Sequence, residues 1–269
     1  MPVTCRLRVF QGLVEHLEFP ERFSTTCWTD KSIKVDRVLI EGEEFKWGGY
    51  SFKVYHNPAH MEEQMALSAV VDGLKFLFIG DGTACNRESH MRSAIHGYNG
   101  ISLKTGIIKT AQSFYDADPY ICLPAHSNGF ATHEDTRDEF MNWAVATTDA
   151  IKALLPPAHP DMGYDPYWAT FYPAKIKIKP GEKAGLTLRL KNNSYTKIPG
   201  KFLLKSYGNL SFDKEAQEYI LQPGETKDIA FFVKSPITAS VGIYIITADI
   251  IFDNELYAEF PQGYIELVK

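Results

Sequence analysis

The sequence has no long apolar run. Across its 269 residues, nothing reaches the length of about 18 apolar residues that a membrane-spanning helix needs. The best runs, Met65 to Gly80 and Val241 to Phe252, are broken by Asp72, Lys75 and Asp249. A basic excess is also lacking. The 28 Lys and Arg are outnumbered by 33 Asp and Glu, for a formal net charge of −5, which argues against a nucleic-acid partner. Cysteine is sparse and unpaired in sequence. Cys5, Cys27, Cys85 and Cys122 lie far apart, without the CxxC spacing of a zinc knuckle or a thioredoxin-type site. They read as plain thiols, buried or at the surface. The opening Met-Pro-Val-Thr-Cys-Arg has no apolar h-region, so no signal peptide is visible and localisation stays open for a chain that reads as soluble. What remains is 45% apolar and 23% charged, a globular composition with too many apolar residues for a disordered chain. The length suggests two domains.

Composition changes near residue 160. Before it, strand-like and helix-like segments alternate. The boundary, Leu-Leu-Pro-Pro-Ala-His-Pro-Asp-Met-Gly-Tyr-Asp-Pro, reads as an extended connector. The division is therefore 1–160 and 161–269. In the first part Tyr50 to His56 alternates as a strand. Met65 to Val71 and Leu74 to Ile79 flank Asp72-Gly73, a two-residue hairpin signal. The second of these is continuously apolar and is expected to be buried on both faces. Ile101 to Tyr115 suits an amphipathic helix, and Tyr120 to Leu123 a short strand. His133 to Leu155 reads as a long helix with Thr132 as N-cap. Mixed β and α segments point to an α/β or α+β arrangement.

The second part has no histidine or cysteine. About seven short strands, separated by turns such as Pro180-Gly181-Glu182, Asn192-Asn193 and Pro223-Gly224-Glu225, indicate an all-β immunoglobulin-like sandwich. It resembles NEW3-type bacterial domains over about residues 170 to 269. Asn192-Asn193-Ser194 and Asn209-Leu210-Ser211 match glycosylation acceptors by pattern. Trp168 to Tyr172, right after the connector, are expected to clamp the two domains together.

Chemistry concentrates in three places, each a metal-capable side chain just after a β-rich segment. They are Pro58-Ala59-His60, Gly80-Asp81-Gly82 and Pro124-Ala125-His126. Imidazole and carboxylate suit zinc, iron or manganese. Singly, each has a plainer reading: a surface histidine, or a turn-forming aspartate. His56, His90, His96 and His133 have weaker grounds for a role.

In order and spacing, the three segments resemble the second half of the metallo-β-lactamase fold superfamily over about residues 33 to 155. Val38 to Glu43 and Trp47-Gly48-Gly49-Tyr50 fit its lead-in. Alanine stands where that family has the central glycine of Pro-Gly-His, which is tolerated only if φ is negative there. The resemblance implies an αββα sandwich, a binuclear metal centre with His60, Asp81 and His126 as ligands, and Asp81 as the bridge. It also implies a hydrolase in which a metal-bound hydroxide attacks an ester, amide, thioester or phosphoester. The family's first motif, His-x-His-x-Asp-His, occurs nowhere in the sequence. The chain is therefore expected to carry a half or incomplete fold, with no catalytic residue of its own. By itself it would bind zinc, iron or manganese weakly or not at all and be inactive. Half of such a fold would leave an apolar sheet face bare, with Phe76, Phe78, Ile79 and Val70-Val71 contributing. An N-terminal half-fold polypeptide or a second copy would cover it. The other expectation is a non-catalytic binding or scaffold module that pairs with a partner through that face. A small-molecule substrate belongs to the complete enzyme only.

Overall fold

The computed structural model describes residues 8–10, 14–22, 31–61, 63–85, 91–92, 106–153 and 167–269. The protein is β-rich, with several sheets, and forms two compact units. Unit 1 comprises Met1–Glu15 with Ile33–Pro166, and unit 2 His16–Ser32 with Tyr167–Lys269.

In unit 1, β1 (Arg8–Phe10) pairs in parallel with β2 (Arg37–Leu39); the short α1 (Val14–Glu18) between them straddles the division between the units. Then come β3 (Glu44–Trp47), β4 (Tyr50–His56), β5 (Met65–Val71) and β6 (Leu74–Gly80), an antiparallel run. The β5–β6 turn is built on Asp72 at φ 50° and Gly73 at φ 81°. Two successive left-handed residues are what a tight hairpin with right-twisted strands requires. Two short strands, β7 (Ala84–Cys85) and β8 (Met91–Arg92), pair with each other. After α2 (Ile107–Ala117) the chain returns as β9 (Ile121–Pro124), parallel to β6, and adds β10 (Phe130–Ala131) at the edge. A parallel pair needs a crossover connection, and α2 lies in it. The unit ends on α3 (Thr136–Lys152). The six-stranded order is β10-β9-β6-β5-β4-β3.

One face of this sheet holds the core. Tyr55, Ala66, Leu77, Ile79 and Cys122 pack with Ile107, Ala111 and Phe114 of α2 and with Phe140 and Ala144 of α3. Phe114 meets Phe140 edge-on at 5.6 Å. The register places Leu67 opposite Phe78, and Phe78 beside Leu123, on the reverse face. There Leu39, Phe45 and Val54 form a small cluster with Phe52, Met65 and Leu67. The rest of that face is open: Trp47 is 66% exposed and Phe78 40%.

Several expectations change here. Leu74 to Ile79 is buried on one face, not both, because nothing among the described residues covers Phe78. Ile79 points to the helices, with 1% exposure, so it does not belong to the bare face. Val70 also leaves it, because β5 alternates and its register partner is Lys75. The long helix starts at Thr136 rather than His133. Thr132 is not its cap: its hydroxyl donates to Pro119 O at 2.6 Å, while His133 N–H donates to the Thr136 hydroxyl at 2.9 Å.

Unit 2 is built from two facing sheets. Its strands are β11 (Ala169–Tyr172), β12 (Lys175–Ile178), β13 (Lys183–Lys191), β14 (Ile198–Tyr207), β15 (Ser211–Phe212), β16 (Ala216–Leu221), β17 (Thr226–Lys234), β18 (Gly242–Phe252), β19 (Glu255–Tyr257) and β20 (Gln262–Leu267). One sheet runs β11-β13-β17-β15. The other runs β12-β20-β18-β14-β16, with β19 beside β18. Strict alternation on β13 and β17 buries Leu186, Leu188 and Leu190 against Ile229, Phe231 and Val233 on one side. The sheets are close enough that a Cβ on Gly263 would meet Phe171 of the opposite sheet at 3.0 Å. Trp168 is taken up within the unit: it stacks on Phe260, meets Tyr257 edge-on and tilts against Phe252, with ring centroids 4.8 to 5.0 Å apart. Asn192 is fully buried; its amide donates to Thr196 O at 2.7 Å and Gln222 O at 3.0 Å, which rules it out as a glycosylation acceptor. Residues 16–32 join this unit, with Arg22 O accepting Ala174 N–H at 3.1 Å.

Candidate metal centre

His60, Asp81 and His126 all lie just beyond strand ends: His60 after β4, Asp81 after β6, His126 after β9. Because β6 and β9 are parallel, their C-terminal ends lie side by side. The register shifts between Phe78 and Gly80, so that two residues of β6 oppose one of β9. Such a bulge bends the strand and re-aims the residue beyond it, here Asp81. Gly80 adopts φ 58° at this point, a left-handed conformation that glycine takes without steric cost.

The structure brings these side chains together. Asp81 Oδ2 lies 3.5 Å from His60 Nε2 and 3.4 Å from His126 Nε2. Exposure is uneven: the His60 and Asp81 side chains are 25% and 23% exposed, His126 84%. Among the described residues, no group of three or more His, Cys, Asp or Glu is disposed to hold one ion. The arrangement is thus two His–Asp pairs sharing one oxygen, not a three-ligand cage.

The loops are tied to one another by backbone and side-chain bonds. Ser113 Oγ of α2 donates to His56 O at 2.6 Å, and Ala59 N–H donates to Thr110 Oγ1 at 2.8 Å. Ala125 N–H donates to Gly80 O at 2.8 Å, which joins the His126 loop to the Asp81 loop. Positive φ among described non-glycine residues is confined to Asp72, Asp118, Asp253, Asn254 and Glu259. Ala59 and Ala125 therefore sit at negative φ, and alanine suits both positions.

Sequence reasoning passed over Asn57 and Gln64. Asn57 is fully buried, and both side-chain amides donate to Ile79 O, at 2.7 and 2.8 Å. The available signal was a glycine on each side of Asp81. Of the secondary candidates, His56 O serves as the acceptor for Ser113. His133 is exposed, 3.7 Å from Glu139. His90 and His96 lie outside the described residues.

No family model matches the chain, and no curated protein matches it. Solved structures offer partial likenesses. A metallo-beta-lactamase family protein from Thermus thermophilus is 16% identical over 56% of this chain and 56% of its own, with a TM-score of 0.40. A CARDB domain from Pyrococcus furiosus, solved in complex with di-metal ions, is 19% identical over 37% of this chain and 85% of its own, with a TM-score of 0.29. Alpha-2-macroglobulin of E. coli is 20% identical over 37% of this chain, which spans 6% of that protein, with a TM-score of 0.32. Likenesses at this level concern the course of the backbone and say nothing about ligands or activity.

Proposed function

We propose that the chain carries part of the metal centre of a metallo-β-lactamase-type hydrolase, followed by an immunoglobulin-like sandwich, with residues 1–160 and 161–269 as the two domains. His60, Asp81 and His126 are the ligands in this reading. The observation that supports it is the Asp81 oxygen flanked by two imidazole nitrogens. Two donors about 2.1 Å from a tetrahedral ion stand about 3.4 Å apart. Both His–Asp separations, 3.5 and 3.4 Å, match that edge, so the donor types and spacing fit one ion per pair with Asp81 between them.

A bound zinc, iron or manganese ion would act as a Lewis acid and lower the pKa of a coordinated water. The chain's own part is to hold the ligands. Each ion would find one imidazole and the shared carboxylate, one protein ligand short of the three that catalytic zinc sites use. Further ligands would come from a separate polypeptide docking on the open face of the unit 1 sheet, next to β6 and β9. His126, 84% exposed, would be accessible to such a partner. Substrates of the assembled enzyme are an ester, amide, thioester or phosphoester; alone, the chain is inactive.

The test is Co²⁺ titration of the full chain followed by visible absorption. Weak uptake that Asp81→Asn abolishes is expected. Equal binding by the parent and Asp81→Asn would overturn the ligand assignment.

The open sheet face favours a second reading, a binding module that never completes a catalytic centre. Metal-dependent hydrolysis of generic ester or phosphodiester substrates by the reconstituted assembly would eliminate it.

A further inference from the structure

A Cβ on either glycine beside Asp81 would meet a side-chain amide. A Cβ at Gly80 would come within 2.6 Å of Gln64 Nε2, and one at Gly82 would run into both polar atoms of the Asn57 amide. At Gly80 the left-handed φ of 58° already calls for glycine. At Gly82 the backbone makes no such demand, and the Asn57 amide alone excludes a Cβ.

Both amides hold the same atom. Ile79 O accepts Asn57 Nδ2 at 2.7 Å, Gln64 Nε2 at 2.8 Å and Gly82 N–H at 3.1 Å. Three donors thus converge on one carbonyl two residues before Asp81. Asn57 and Gln64 are themselves joined, since Asn57 N–H donates to Gln64 O at 2.9 Å. They bracket the loop that carries His60. Asn57 is fully buried, and its Oδ1 has no hydrogen-bond partner among the described residues. A buried acceptor left open is costly. Packing alone would be served better by an apolar side chain, so what the amide contributes is its N–H end.

We infer that Asn57 and Gln64 are positioning residues. They clamp Gly80-Asp81-Gly82 against the loop of His60 and so place the Asp81 carboxylate between the two imidazoles. The purpose of this clamp rests on the metal-centre reading; its geometry does not. Groups behind the ligands of a metal site set ligand orientation in the same way.

The experiment compares the full-length parent with Asn57→Asp, which keeps the shape and loses the donor, and with Gln64→Ala. Gln64 is only half-buried, so that variant reports even if Asn57→Asp does not fold. Amide exchange at Asp81 and Gly82 is read by NMR without metal, and Co²⁺ affinity and absorption are read with it. Expected are exchange about tenfold faster at those two amides and Co²⁺ affinity lowered about tenfold or more with a shifted spectrum. Amides elsewhere in the sheet should keep the parent's rates, which a general loss of stability would not allow. Parent-like exchange at Asp81 and Gly82 in both variants would overturn the clamp. A parent that binds Co²⁺ no differently from Asp81→Asn would sink the ligand assignment alone, and the exchange rates would still decide the clamp.

Discussion

At the scale of single residues, two kinds of side chain set the behaviour of this protein. The first is the large buried aromatic. Phe114 is fully buried between the sheet and Phe140. Phe114→Ala removes a ring that its neighbours cannot replace and is expected to cost about 3 to 5 kcal/mol in chemical denaturation. The second is the charged group held by a partner. Lys205 lies 2.8 Å from Asp249 and 3.5 Å from Glu259. The hydrogen bond from Lys205 holds the Asp249 carboxyl below its usual range, and the same bond raises the Lys205 ammonium. Because its folded pKa is depressed, Asp249 adds stability above about pH 4, and that share is lost as pH falls through the folded value. Lys205 works in the opposite direction: its share is present below about pH 10.4 and disappears as pH rises through its raised folded value. Asp249→Asn should flatten the acid limb of the melting temperature between about pH 4 and pH 2. Thermal melts across that range check it. An acid limb as steep as the parent's would show that other carboxylates dominate.

At the scale of elements, turn chemistry and periodicity were legible because they are local. Asp72-Gly73 predicts the β5–β6 hairpin, and the two left-handed residues are there. Gly73→Ala is expected to cost about 1 to 2 kcal/mol, since φ is 81° and a Cβ is strained there; urea denaturation measures it. Ile107, Ala111 and Phe114 form the buried stripe of α2, as their spacing indicates. Helix starts were less legible. Thr132 and Thr136 offer similar hydroxyls, and what separates them is the Pro119 carbonyl, which claims Thr132 from 13 residues away. The clamp on Asp81 was not legible either. Asn57 and Gln64 meet Ile79 across 22 and 15 residues, and no local pattern marks an amide that will point at a particular carbonyl.

For the whole molecule, the telling feature is a sheet that the described residues cover on one face only. Helices cover one side of the six strands. On the other, Trp47, Tyr50, Leu74 and Phe78 keep 66%, 44%, 40% and 40% of their surface exposed. In the proposed reading this face serves association. Trp47→Ser combined with Phe78→Ser should lower binding of an apolar dye and reduce concentration-dependent association in analytical ultracentrifugation. Unchanged behaviour of the double variant would show that this face takes no part in association.

The residues alone determine the longer strands, the hairpin, the amphipathic helix and three metal-capable side chains placed after strands, because propensity, alternation and turn preference act over a few neighbours. Tertiary structure alone decides the rest. The parallel pairing of β6 with β9 and the bulge before Gly80 bring Asp81 to 3.4 Å from His126. The register turns Ile79 to the core and Phe78 outward. The amides of Asn57 and Gln64 hold the loop between the imidazoles. Each of these depends on groups far apart in the chain meeting within a few ångström, and only the folded backbone sets such distances.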